Sequence, residues 1–178
     1  MSSTKTGIYD FSEVVLLIKH QMYGGIIKID GFMEGSEITV ARNNPRWENK
    51  GSGDGKATTL VRSPDNSGSI TFTLNQSTDS LDKMNAICQY ANTTKNLTIL
   101  SEVTLVDKSS RSIFFSPDSI ASSPENVSFG VSESGREYKL LCGELQETLG
   151  GSSKIPADTL SFLGAFGIEV DDSWKVSI

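Results

Sequence analysis

The sequence predicts a mainly β protein: an antiparallel β-sandwich or barrel with one α-helix and a long extended arm between two strands. Three observations lead there. The apolar runs are short and set among abundant Ser, Thr, Asn and Gly, which suits strands and turns better than long helices. Strand-like segments come before and after a single helical pattern, without the β-α-β alternation of a parallel sheet. And "ARNNPRWENKGSGDGKATTLVRSPDNSGS", residues Ala41–Ser69, separates two good strands. Hairpin loops usually run two to about five residues, so so long a connection is expected to be functional.

Val14–Lys19 reads as a buried strand and Ile26–Asp30 as the next, with Gly24–Gly25 of "HQMYGG" supplying the turn. Ser36–Arg42 alternates, with Ile38 and Val40 on one face, and "TTLVR" inside the arm forms a short strand of its own. After the turn cluster "SPDNSG", Gly68–Gln76 alternates cleanly, placing Ile70, Phe72 and Leu74 on one side. The helix covers about 79–91. Ser77, Thr78 and Asp79 are its cap candidates, and Leu81, Met84, Cys88 and Ala91 form its apolar stripe, broadened by Ile87. Beyond it, "LTILSEVTLV" and "RSIFF" flank the turn "DKSS", and "NVSFGVS" and "REYKLLCGEL" flank "ESG"; both pairs read as hairpins. "GGSS" then breaks the pattern, and Pro156 opens a short helix in "ADTLSFLGAFGI" whose Leu160, Phe162, Leu163 and Phe166 are expected to dock on another surface.

With 178 residues, 37% hydrophobic and 21% charged, the chain suits one domain with a sizeable core. No apolar run approaches a membrane span, and the N-terminal "MSSTKTGIYDFSE" has no apolar signal core, so neither a membrane nor a secretory route is expected. The Asn-X-Ser/Thr matches at Asn75, Asn92, Asn96 and Asn126 are then accidents of composition. Cys88 and Cys142 are isolated thiols with no metal-ligand spacing, as expected of a reducing compartment. A net charge of −6 argues against a surface that grips nucleic acid.

No catalytic constellation emerges. "GSGDGKA" is one residue too short between its glycines for a phosphate-binding GxxxxGK loop, and Ala57 stands where a hydroxyl is needed. Lys56 takes the place of the third glycine of a dinucleotide fingerprint. The sole histidine, His20, lies at a strand end without a nucleophile or an orienting carboxylate in view, and reads as a surface or turn residue. Asp10, Asp30, Asp54 and Asp65 are scattered through turns with no calcium-loop spacing. Trp47 and Trp174 are either ligand-stacking rings or, by preference, rings packed at a core edge or interface. An enzyme is not expected, and neither a cofactor nor a metal.

From the arm onward the order of motifs is distinctive: the strand "EITVAR", the aromatic of "PRWENK", the glycine-rich "GSGDGKAT", the arginine of "TLVRS", then "NSGSITFTLNQST" and a helix starting "DSLDKMNAI". This series resembles the tail tube proteins of contractile-tailed bacteriophages, over about Gly7 to Gly150 and most specifically over Glu37 to Ile87. Lys56 departs from it, standing where the family has a glutamate, and Gly150–Ile178 has no counterpart. The division implied is a tail-tube-like β domain over 1–150 and a C-terminal extension over 151–178. The resemblance implies a structural virion protein that forms hexameric rings stacked into a tube. Phage DNA would pass along the lumen without specific binding. Sheath, baseplate and tail-terminator proteins would be its partners, with assembly in the host bacterial cytoplasm.

The arm would bridge successive rings, through Arg42, Arg46, Trp47, Lys50, Gly51, Gly53, Gly55, Lys56 and Arg62. The three glycines would let its tip turn sharply. Its local charge is +2 against −8 for the rest of the chain, which suits contact with a neighbour's acidic surface. Six copies carry −36, which suits a lumen that does not hold DNA. The other readings are a ring-forming baseplate, tail-completion or secretion-system protein, and a carbohydrate-binding module.

Overall fold

The computed structural model describes residues Thr6–Val176. Its body is one antiparallel sheet built from strands β1 (Val14–His20), β2 (Ile26–Ile29), β3 (Thr39–Arg42), β6 (Gly68–Leu74), β7 (Ser101–Asp107), β8 (Ser112–Ser122), β9 (Arg136–Cys142) and β10 (Gln146–Thr148). The order across it is β2-β1-β7-β8-β9-β6-β3, with β10 continuing beside the first half of β8. The chain leaving β2 returns to the edge of β6, where Met33 N–H donates to Thr73 O, Asn75 N–H donates to Gly31 O, and Phe32 bridges Leu74. That contact curls the sheet on itself as a sandwich or barrel.

Alternation decides what enters the interior. Leu16 and Ile18 of β1, Ile70, Phe72 and Leu74 of β6, Val103 and Leu105 of β7, and Tyr138, Leu140 and Cys142 of β9 all point inward. Helix α1 (Asp79–Thr93) lays Met84, Ile87 and Cys88 on the same core. It starts where Thr78 accepts from Ser80 N–H, with Asp79 and Asp82 in the first turn where the helix dipole favours carboxylates. Ser80, fully buried, ties that end of the helix to Asp30, accepting from its backbone N–H and donating to its carboxylate. Both cysteines are buried and free, and burial raises their pKa values.

Several expectations need correction. "NVSFGVS" is not a strand, and its Phe129 is exposed beneath the Arg136 guanidinium. Along β9, β6 takes the whole of one side, while β8 takes only Lys139–Cys142 of the other, so Arg136–Tyr138 has no strand beside it there. "RSIFF" is only the first half of β8, which runs eleven residues through Pro117. The proline is tolerated because the register shifts there, Ser101 facing Ser119 while Val103 faces Ser116, and a bulge asks for no N–H at that point. Strand β10 was not expected. Ser36–Ile38 falls outside β3, and Leu97–Ile99 is a 3-10 turn capped by Asn96.

His20 is not a surface residue. Only 4% exposed, it continues the inward face of Leu16 and Ile18, edge-on to Tyr90, and its Nδ1 accepts from Met22 N–H. Burial holds its pKa below the ordinary value. The unfolded chain therefore takes up a proton first as pH falls through about 6.5, and the stability due to a neutral His20 is lost below that point. We expect the melting temperature to fall between about pH 6.5 and 5. His20→Leu should flatten that limb, and an unchanged slope in the variant would remove His20 as its source.

Candidate functional site

The arm is not a loop. Two further strands, β4 (Trp47–Gly51) and β5 (Thr58–Arg62), pair with each other alone in a two-stranded ribbon detached from the main sheet. β4 was not expected. The tip closes around Ser52: its N–H donates to Ala57 O, its carbonyl accepts from Gly55 N–H, and its hydroxyl accepts from Ala57 N–H. Asp54 accepts from Ser52 Oγ and from Lys56 N–H, and these bonds hold its pKa below the usual carboxylate value. Only Gly55 among the three arm glycines has a positive φ, +71°, so the sharp turn rests on it. Gly51 lies within β4.

The base of the arm is clamped by polar contacts. Asn43 N–H donates to Ser67 O, Asn44 donates to Asp65, and Arg46 donates to Asn66. Arg42, whose side chain is 16% exposed, pairs with Glu147 at 2.8 Å and donates to Leu145 O. Gly68 is required here for closeness, since a Cβ would stand 2.6 Å from Ala41 O and 2.9 Å from Leu145 Cδ2. So Arg42 and Arg46 are held within the subunit, whereas Trp47, Lys50, Gly51, Gly53, Gly55, Lys56 and Arg62 stand on the projecting ribbon.

Every residue of β4 and β5 is exposed. Directly paired residues share a face, so Trp47 opposite Arg62 and Asn49 opposite Leu60 form one side of the ribbon. Trp47 is 60% and Leu60 66% exposed. Lys50, Lys56 and Arg62 form no ion pair among the described residues. Leu60 and Val61 were missed as contact residues, although the strand "TTLVR" already carried them; the alternation could not say that nothing would cover either face. An isolated two-stranded ribbon is marginally stable in water, and this one presents a ring, an aliphatic side chain and unpaired cations at once.

The described residues contain no cluster of His, Cys, Asp and Glu that would hold a metal, and no helix long and apolar enough to cross a membrane. The rings offered as ligand-stacking candidates sit apart. Trp174 lies under the Arg111 guanidinium, 5.1 Å from its carbon, at the junction of body and C-terminal segment, whereas Trp47 is on the ribbon.

No protein-family model matches the sequence. The chain is similar to structural protein ORF10 of Pseudomonas phage KPP10, 23% identical over 171 residues that cover 96% of this chain and 98% of that one. Its fold has likenesses among solved structures. For the virion of a native gene transfer agent particle the TM-score is 0.49 at 17% identity, over 80% of this chain and 100% of that one. For the tube-terminating cap of the anti-feeding prophage it is 0.47 at 9% identity, over 84% and 100%.

Proposed function

We propose that the protein is a structural, non-enzymatic component of a phage tail, forming hexameric rings that stack into the inner tube through which DNA passes. The observation that carries this reading is the projecting ribbon Trp47–Arg62: exposed on both faces, positively charged, clamped at its base, and in need of a surface to rest on. Similarity along nearly the whole chain to a phage structural protein supports it. The ribbon joins one ring to the next, with Trp47 and Leu60 as its apolar contact and Lys50, Lys56 and Arg62 meeting acidic groups of the neighbour. Such charges set orientation and encounter more than affinity. The main sheet has free edges at β2 and β3; joining them between subunits would close them.

Electron microscopy of the purified protein at high concentration tests this directly. Rings and tubes with a central channel are expected. Rings that never stack would favour a baseplate or tail-completion part, and monomers alone would overturn the proposal. A channel wall dominated by Lys and Arg would also contradict it, because such a wall would hold DNA by counterion release.

A further inference from the structure

The segment after β10 begins at Gly150, where Ser112 Oγ bonds both the Gly150 carbonyl and its N–H. Arg111 donates to Ser153 O and covers Trp174, and Ile155 is buried, exchanging backbone bonds with the chain around Trp174 and Val176. Between these fixed points stands helix α2 (Ala157–Ala165). Of its expected apolar stripe, Leu160 and Leu163 are half-buried. Phe162 and Phe166 face water at 63% and 69% exposure, their rings 5.0 Å apart as a single knob. Asp158 lies one turn before Phe162 on the same face, and Glu169 follows Phe166.

At the other end of β1 a groove of about 530 Å³ opens between the β1–β2 hairpin and α1. Its apolar lining includes Tyr23, Ile26, Ile87 and Tyr90, with Lys28 and Lys83 as its cations and Asp30, whose carboxylate accepts from Ser80 Oγ, as its one acid. Neither lysine has an ion-pair partner among the described residues. Tyr23 and Ile26 are exposed by 69% and 67%. Knob and groove thus match in kind: two adjoining tilted rings with acids near them in the chain, and an apolar cleft with two lysines against one aspartate.

They cannot meet within one chain. Thr148 pairs with Ile113, Ile113 with Val106, and Val106 with Val15, so the C-terminal segment leaves from the start of β1. His20, which lines the groove, is the last residue of that seven-residue strand, roughly 20 Å away at 3.3 Å per residue. We infer that Phe162 and Phe166 of α2 seat in the groove between the β1–β2 hairpin and α1 of a second copy of the chain, Asp158 and Glu169 meeting its Lys28 and Lys83. Such a contact joins unlike surfaces and therefore propagates, closing into a ring or running on as a stack. The inference rests on the reading that this protein assembles with copies of itself, and it assigns the C-terminal segment, rather than the ribbon, to a second joint.

Because Cys88 and Cys142 are buried, exposed engineered cysteines can be cross-linked selectively. Ala86→Cys, on the groove wall, and Ser161→Cys, on α2, are made in separate chains and mixed under mild oxidation. A reductant-sensitive dimer in the mixture, absent from either variant alone and lost on adding Phe162→Ser with Phe166→Ser, is expected. No mixed dimer, or one that survives the serine changes, overturns the inference, as does a chain carrying both cysteines that closes only on itself. Electron microscopy separates the two proposals. Wild-type tubes with no mixed dimer between the variants would leave the tail-tube reading standing and remove this joint; mixed dimers between the variants, with neither rings nor tubes from the wild type, would do the reverse.

Discussion

Trp47→Ala is expected to leave the subunit folded and to stop or sharply slow tube growth, and deletion of Asn49–Lys56 to abolish it. The ribbon supplies no residue to the hydrophobic core, which is drawn from β1, β2, β6 to β9, α1 and their neighbours. Circular dichroism and the main thermal transition should therefore stay near wild type. Assembly should not, because truncating an aromatic anchor at the centre of an interface costs roughly 2 kcal/mol or more. In a ring that cost recurs at every subunit. Leu60→Ser should act in the same direction, since Leu60 shares the Trp47 face, whereas Glu48 and Val61 lie on the other. Tubes that grow from the deletion variant as readily as from wild type would show that the ribbon does not join rings.

Phe72→Ala is expected to destabilise the subunit itself by about 3–5 kcal/mol, lowering the melting temperature by roughly 10 °C at this chain length. Phe72 is 1% exposed at the centre of an aromatic chain, edge-on to Phe32 at 6.0 Å and stacked on Tyr138 at 6.2 Å. Tyr138 in turn donates from its hydroxyl to Asn85 of α1 at 2.5 Å, and burial pushes its pKa up to about 12. Removing the Phe72 ring thus loosens the contact between helix and sheet as well as leaving a cavity. Leu141→Ala, on the outward face of the neighbouring strand and 47% exposed, should stay within about 0.5 kcal/mol. Equal losses for the two would mean that Phe72 is not at the centre of the core.

The local patterns were legible in the residues because they depend on near neighbours in the chain. The alternation of Ile70, Phe72 and Leu74 identifies the inward face of β6, and the cap at Thr78 with the stripe Met84–Cys88 sets out α1. The length of Ala41–Ser69 already marked the arm as the unusual feature, and its charge and Trp47 marked it as a surface to be met by something. What failed is what depends on pairing between distant strands. β9 takes the distant β6 along its whole length and the end of β8 beside its second half, not "NVSFGVS", and β10 finds a place only because β8 extends beyond β9. His20 looked like a turn residue because Lys19 and Gln21 flank it and the Gly24–Gly25 turn follows closely. In the fold, two-residue periodicity carries it inward under Tyr90, a residue 70 positions away. Whether Trp47–Gly51 is a strand, and whether Phe162 and Phe166 are covered, were likewise decided only in three dimensions. Exposure is a property of what else arrives at a surface, and the sequence of one element does not contain that information.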